Sequence, residues 1–438
     1  MRRIARWLGA LSLVVVLSQS SVARAHDRDD DRHGGHWFTA WAQSIGHRMG
    51  PAFTGANFAP DVSHTALRMI VRPSISGDSV RVRLENTQAQ TPVTFSAAYI
   101  GRLGSGAALV PGTNWKLTFG GRHSLTLASG ESAWSDPVKL DVDAFQRLAV
   151  SLDVASSVEI SGHQLGLTTN YIGTYGSAGS SSGAGFSPVP DNASNYPFYF
   201  VAAIDVRSES ASGTIVLLGD SITDGRCSTR DPVTGDIPAD IYNRWGDTLA
   251  RRLVARYGRR APAVAIEAIA GNRVVLDGGN GPAAVLRLDN DVLERAGLSA
   301  VIFFEGTNDI TGGATTAQLI AGTQNVIDRV HARGVPIYVA TVVPRGRPAP
   351  MTGWTAAMEQ VKIEFNHWLH AEANIDGIVE FGALLDGPIV IETDGLPTES
   401  LWPEWACFDF THANKFGYPA MGSLIDLDLF QPAHGGHD

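Results

Sequence analysis

A serine hydroxyl is a weak nucleophile unless a base takes its proton and a third group orients that base. Gly219-Asp220-Ser221 offers such a serine at the end of a short apolar run. Cys407-Phe408-Asp409-Phe410-Thr411-His412 offers the base, with a carboxylate three residues before the histidine. At that spacing Asp409 can hydrogen-bond the imidazole of His412 and fix its tautomer. An acyl-transfer site also needs donors for the oxyanion that forms on the attacked carbonyl. The Ser221 N–H is one. Gly271 in Ala270-Gly271-Asn272-Arg273 and Asn308 in Glu305-Gly306-Thr307-Asn308-Asp309 offer a backbone N–H and a side-chain amide as the others. Singly, each has a plain structural reading: a common tripeptide, a turn glycine, a helix cap, an exposed loop histidine. Their appearance in order, at the ends of successive apolar runs, points instead to one site.

The elements that must position them follow from periodicity. Beyond Gly213 the chain alternates near-continuous apolar runs with helical patterns. The runs are Ile215–Leu218, Val264–Ile269, Ala300–Phe304, Val335–Thr341 and Ile378–Phe381. Between them, Trp245, Leu249, Leu253 and Tyr257 share one helix face. Leu319, Thr323, Val326, Ile327 and Val330 share another, and Met358, Val361, Phe365, Trp368 and Leu369 a third. A last helix is expected from about Lys415 to Leu427. This is the pattern of a parallel sheet covered on both faces. In a flavodoxin-like 2-1-3-4-5 order the first three strand ends converge on one crevice, where such sheets bind ligands.

From Trp37 to about Arg207 the period is two: Val80, Val82 and Leu84 alternate with Arg81 and Arg83, and Val93, Phe95 and Ala97, Trp115, Leu117 and Phe119, Leu125 and Leu127, and Leu148, Val150 and Leu152 repeat it. Many short alternating strands predict an antiparallel sandwich or jelly roll. Its Trp37, Trp41, Trp115 and Trp134 are expected in the core, with carbohydrate binding as the alternative use. Residues 174–197, rich in Gly, Ser, Pro and Asn, read as a loop or linker, and Phe198–Val206 as one more strand.

Arg2, Arg3 and Arg6 precede the apolar run Leu8–Leu17, and Ala23-Arg24-Ala25 offers a cleavage site, so residues 1–25 read as a secretory signal peptide. Its removal takes four arginines with it and makes a chain already at −10 more acidic. That balance argues against nucleic acid or an anionic membrane surface as partner, and no other apolar run is long enough to span a bilayer. The His/Asp-rich segment 26–36 and the tail 431–438 read as solvated, disordered termini, with metal binding as the alternative. The resulting plan is a β-sandwich domain at 37–207 and an α/β domain at 213–430.

The four blocks Gly219-Asp220-Ser221, Gly271, Asn308 and Asp409-x-x-His412 resemble those of the SGNH, or GDSL-type, hydrolases over about residues 213–430, in particular a secreted two-domain subgroup with an N-terminal β domain. The resemblance implies a flavodoxin-like three-layer SGNH sandwich. In it Ser221 is the nucleophile, Asp409 and His412 complete the triad, and Ser221, Gly271 and Asn308 form the oxyanion hole. It departs from the family at Ala413, where a proline is usual, which predicts a looser loop. Thr223 follows Ile222, so the Gly-x-Ser-x-Gly elbow of α/β-hydrolases is excluded. The expected activity is hydrolysis of O-acyl esters, acetyl or short-chain, of small molecules or polysaccharide, with no metal or organic cofactor. Alternatives are a lipase or polyester hydrolase, and a non-catalytic carbohydrate-binding protein on a hydrolase scaffold. Arg273, Trp402 and Trp405 are candidate substrate contacts. If the triad assembles, Cys227 and Cys407, the only two cysteines, come to the same rim of the site, and an oxidising compartment would pair them.

Overall fold

The run Thr214–Gly219 is apolar on both sides, as a strand with a layer on each face must be. In the computed structural model it is an inner strand of a five-stranded parallel sheet. The structure describes residues 35–190, 195–277, 280–347, 353–391 and 397–432. The expected signal peptide, all of the His/Asp-rich segment except Gly35 and His36, and residues 433–438 lie outside them; His36 opens the first strand, His36–Ala42. Thr214–Gly219 pairs with Ala263–Ala268 on one side and Leu298–Phe304 on the other. Ile337–Ala340 and Gly377–Val379 extend the sheet beyond, giving the expected 2-1-3-4-5 order.

Side chains of these strands alternate between two cores. Ile215 and Leu217 pack with Trp245, Leu249 and Leu253 of the helix Trp245–Tyr257 and with Met421 of the helix Gly417–Leu424. Val216 and Leu218 pack on the opposite face with Leu319, Val326, Ile327 and Val330 of Thr316–His331 and Phe365 and Trp368 of Ala356–Ala371. Each fully buried aliphatic side chain contributes about 1.5–3 kcal/mol, so the sheet is held from both sides. No helix among the described residues is long and apolar enough to cross a membrane.

The strands of the N-terminal half pair antiparallel. One sheet runs in the order His36–Ala42, Val201–Ser208, Gly77–Glu85, Ser132–Trp134, with Val138–Val142 also on Gly77–Glu85. The facing sheet runs Phe186–Pro188, Tyr171–Thr174, Thr65–Val71, Leu148–Ser156, Val93–Arg102, Trp115–Lys116, with Leu125–Leu127 also on Val93–Arg102. Val80, Val82, Leu84, Phe95, Leu148, Val150 and Leu152 fill the space between them. A third, short sheet joins His47–Met49, Ile160–His163 and Phe198–Tyr199.

Two expectations are corrected here. Residues 174–197 are not a plain loop, because Phe186–Pro188 forms an edge strand on Tyr171–Thr174. Its Ser-rich approach is organised by Arg68, which is fully buried. Arg68 Nη2 donates to Ser180 O at 2.7 Å and Nε to Ser151 Oγ at 3.0 Å, Nη1 donates to Ala107 O, and the guanidinium lies over the Phe186 ring. Composition alone hides this, since the backbone partners come from one distant arginine. Trp115 is not a core residue. It is 49 % exposed on a two-residue edge strand, whereas Trp37, Trp41 and Trp134 are half-buried.

The described residues from His36 onward pack as one unit. Thr39 N donates to Ala296 O at 3.0 Å, and Ser74 Oγ donates to Ala40 O at 2.9 Å and accepts from Val264 N at 2.9 Å. Ala42 and Ala203 of the antiparallel half lie in an α/β core, and Ala263 of the parallel sheet lies in the β core.

Arg68→Met keeps the apolar stem but leaves Ala107 O and Ser151 Oγ buried without this donor and releases Ser180 O. It should cost about 2–4 kcal/mol of stability, the range for losing charged hydrogen bonds and leaving their acceptors unpaired. Urea denaturation of the two proteins measures it, and an unchanged midpoint would contradict the organising role of Arg68.

Candidate active site

The first three strand ends of the parallel sheet each deliver one part of the candidate site. The strand Thr214–Gly219 runs into a single helical turn, Ser221–Asp224. Asp220 caps that turn, its Oδ1 accepting from Ile222 N at 2.9 Å. Gly225 closes it at φ 90°, a left-handed conformation that suits glycine. Ser221 therefore stands at the start of a helix with its Oγ turned to the loop of His412, and is only 6 % exposed.

His412 Nε2 lies 2.7 Å from Ser221 Oγ, and its Nδ1 lies 2.7 Å from Asp409 Oδ2. The Asp409 Oδ1 accepts the backbone N–H groups of Thr411 and His412, each at 3.1 Å. Burial would raise the Asp409 carboxyl, but the bond and charge of His412 and these two N–H groups outweigh it and hold the pKa well below the usual range. Burial lowers the pKa of His412 below 6.5, and the nearby cations Arg345 and Arg226 add to this, against the opposing pull of Asp409. The imidazole is thus neutral at neutral pH, as a base must be.

The loop that carries the pair is tied down without the family's proline. Ala413 is buried and bridges Ala406. Cys407 N donates to His412 O at 2.8 Å, and Asn414 N to Trp405 O at 2.7 Å. Asn414 Nδ2 donates to Glu404 O and Ala406 O. These bonds replace the stiffness that a ring would supply. A Cys227–Cys407 disulfide, with Cα atoms 6.3 Å apart, links the turn after Ser221 to this loop.

Gly271 follows the strand Ala263–Ala268 and adopts φ 83°, where a side chain is strained; a Cβ there would meet Asn280 Nδ2 at 2.7 Å. Among the described residues, no backbone carbonyl accepts from the N–H of Ser221 or of Gly271 outside regular elements, which leaves both for another acceptor. Asn308, on the helical turn Thr307–Thr311, is engaged differently: its Nδ2 donates to Asn272 O at 2.9 Å and to Asp220 Oδ2 at 3.1 Å. Both amide hydrogens are used, so one of these bonds must yield before Asn308 can serve an oxyanion. Burial pushes the Asp220 carboxyl up to about 7. Asp309 accepts from the N–H groups of Val274, Val275 and Leu276 and so holds the segment after Gly271 against the third strand end.

The candidate substrate contacts separate. Trp402 is 47 % exposed, while Trp405 is half-buried against the core formed around Trp245. Arg273 is half-buried beside Asp309. Cys227, Asp409 and His412 could bring ligand atoms within 4.8 Å of one another, but the sulfur is in the disulfide and the other two are bonded to each other.

Two arginines had no signal in the sequence. Arg345 is buried and donates to Thr307 Oγ1 at 2.5 Å. Burial lowers its pKa to about 10, which leaves it charged beside Asp220 and Asp409. Arg287 reaches all three strand ends. It donates to Gly219 O, Glu267 O and Glu305 Oε1, and to Asn272 Oδ1 next to Gly271. In sequence it is one polar position of an ordinary helical pattern.

Residues 217–420 match the GDSL-like Lipase/Acylhydrolase family. The chain is also similar to solved structures. A carbohydrate acetylesterase family member from Sinorhizobium meliloti is 16 % identical, over 50 % of this chain and 97 % of that one, with a TM-score of 0.37. A GDSL-like lipase from Bacteroides thetaiotaomicron is 17 % identical over 49 % and 85 %, at 0.33, and the M. smegmatis aryl esterase 18 % over 48 % and 95 %, at 0.34. No curated protein matches.

Closing a loop of 180 residues, the disulfide contributes on the order of 4–5 kcal/mol on the chain-entropy model. It also joins the turn that carries Ser221 to the loop that carries His412. Reduction should therefore lower ester turnover at reductant concentrations that leave the tryptophan fluorescence of the fold unchanged. Coincident loss of both signals would mean that the bond serves stability alone.

Proposed function

We propose, from the match of residues 217–420 to the GDSL-like Lipase/Acylhydrolase family, that this protein is a serine esterase with Ser221, His412 and Asp409 as its triad. The observation that carries the reading is the unbroken run Ser221 Oγ, His412 Nε2, His412 Nδ1, Asp409 Oδ2, with 2.7 Å at each hydrogen bond. Nucleophile, base and orienter are already within working distance.

Ser221 Oγ attacks the acyl carbonyl carbon as its proton passes to His412 Nε2. Asp409 stays ionised and stabilises the imidazolium. The carbonyl oxygen becomes an oxyanion, held by the N–H groups of Ser221 and Gly271 and by Asn308 once its amide turns from Asp220 or Asn272. Collapse expels the alcohol, which takes the proton from His412, and leaves Ser221 acylated. Water then attacks the acyl-enzyme with His412 again as base, and the carboxylic acid leaves.

The enclosure of Ser221 favours a short acyl group such as acetyl. The exposed Trp402, five residues before Cys407, favours an extended alcohol component, and a sugar suits an exposed aromatic face. The signal-peptide pattern of residues 1–25 and the disulfide support a secreted or periplasmic site of action.

Ser221→Ala should abolish hydrolysis of p-nitrophenyl acetate while leaving the thermal transition in place, and a fluorophosphonate should label Ser221 in the parent. A label on another serine, with the variant active, would overturn the assignment. An optimum at long-chain esters would favour a lipase, and no turnover at all a binding protein. The acid limb of kcat/KM should have its midpoint below pH 6.5, because a lowered histidine pKa keeps the base neutral to lower pH. A midpoint above 6.5 in the pH–rate profile would contradict the environment described for His412.

A further inference from the structure

The turn that carries Gly271 is tied to the antiparallel half through Asp224. Ala270 N–H donates to Asp224 Oδ2 at 3.0 Å, one residue before Gly271. Asp224 closes the helical turn that starts at Ser221, and its N–H donates to Asp220 O at 2.8 Å. The other carboxylate oxygen, Oδ1, lies 3.0 Å from Nε2 of His163. His163 ends the strand Ile160–His163 of the short antiparallel sheet, and its Nδ1 lies 2.9 Å from Ser44 O. The two side chains are 0 % and 3 % exposed.

The partners fix the roles. A carbonyl oxygen only accepts, so Nδ1 carries a hydrogen and donates to Ser44 O. The 3.0 Å contact from Nε2 to Asp224 Oδ1 is the second hydrogen bond of the ring. Removing His163 would leave Asp224 Oδ1 facing only the more distant Arg244 Nη2, at 3.7 Å, and loss of a close partner is costly in a dry interior. A second tie runs beside it: Arg244 Nε donates to Asp224 O at 2.6 Å, and Arg244 Nη2 to Leu165 O at 2.8 Å, two residues beyond His163. Asn280 Nδ2 donates to Ala270 O at 2.8 Å and so fixes the peptide that bears the Gly271 N–H. Asp224 fixes the peptide before it. An oxyanion donor acts only if its direction is set before the charge develops.

We propose that His163 is a positioning residue for the oxyanion hole, acting through Asp224 on the Ala270–Gly271 turn. The β half is therefore a working part of the catalytic site and not solely an attached module. This rests on the esterase reading above.

Asparagine and glutamine separate the two bonds. His163→Asn keeps a donor near the position of Nδ1 and loses the reach to Asp224; His163→Gln keeps a donor near the position of Nε2. Both are compared with the parent on p-nitrophenyl acetate, with kcat expressed per Ser221 titrated by fluorophosphonate. His163→Asn should lose about 10- to 100-fold in kcat with KM little changed, since displacing a catalytic group by about 1 Å costs up to 10²-fold. His163→Gln should stay within a few-fold of the parent. Parental kcat per titrated site in His163→Asn, or equal losses in the two variants, would overturn the proposal. So would failure of both variants to fold, which would make His163 a purely structural residue. A parent chain that turns over no ester and takes no label would overturn the esterase reading first, and this inference with it.

Discussion

The buried guanidinium of Arg287 is the constraint on which the site depends. A charge this deep must be paired and fully hydrogen-bonded, or its desolvation would outweigh any gain. Glu305 and Asp291 supply the countercharge at 2.9 and 3.0 Å. Burial would lower the arginine's pKa, but these carboxylates outweigh it and keep the group cationic. The three remaining hydrogens are shared among Gly219 O, Glu267 O, Asn272 Oδ1 and Ser44 Oγ. One planar fork thereby fixes the ends of three strands and the turn that carries Gly271. It also reaches Ser44, whose carbonyl holds His163.

The loop of Asp409 and His412 solves a different problem. It follows the strand Pro397–Leu401 of a separate two-stranded sheet, outside the parallel sheet, yet it keeps an imidazole within 2.7 Å of Ser221. Backbone bonds around Asn414, the bridge between Ala406 and Ala413, and the Cys227–Cys407 disulfide together replace the sheet. Inside that frame Asp409 is held ionised and His412 neutral, the opposite charge preferences that a base and its orienter require. Both follow from which groups face each side chain: N–H donors at the carboxylate, a dry wall and cations at the ring.

The β half meets the α/β half through backbone and charge and not only through apolar contact. Thr39 and Ser74 exchange hydrogen bonds with Ala296 and Val264, and Arg83 donates to Asn290 Oδ1 at 2.5 Å. Such bonds are directional, so they set the angle of the seam more sharply than apolar packing alone. The histidine at the seam is placed by that register.

Much of this was legible in the residues alone. Alternation of period two and runs apolar on both faces are local signals, so the antiparallel half, the parallel sheet and its helices could be read directly. The order of Ser221, Gly271, Asn308, Asp409 and His412 along the chain was enough to name the candidate site, because each sits where a strand pattern stops. The edge strand Phe186–Pro188, the exposure of Trp115 and the engagement of Asn308 with Asp220 and Asn272 were not legible. Nor were the roles of Arg287, Arg345 and His163. Each depends on partners that lie far away in sequence, such as Ser44 and Asp224 for His163. A polar residue reads as surface in any local pattern, and only burial turns it into a group that must find its partners. Sequence by itself determined the main alternation of strands and helices and which side chains could react; the tertiary structure decided which charges are buried together, because desolvation acts on the assembled chain.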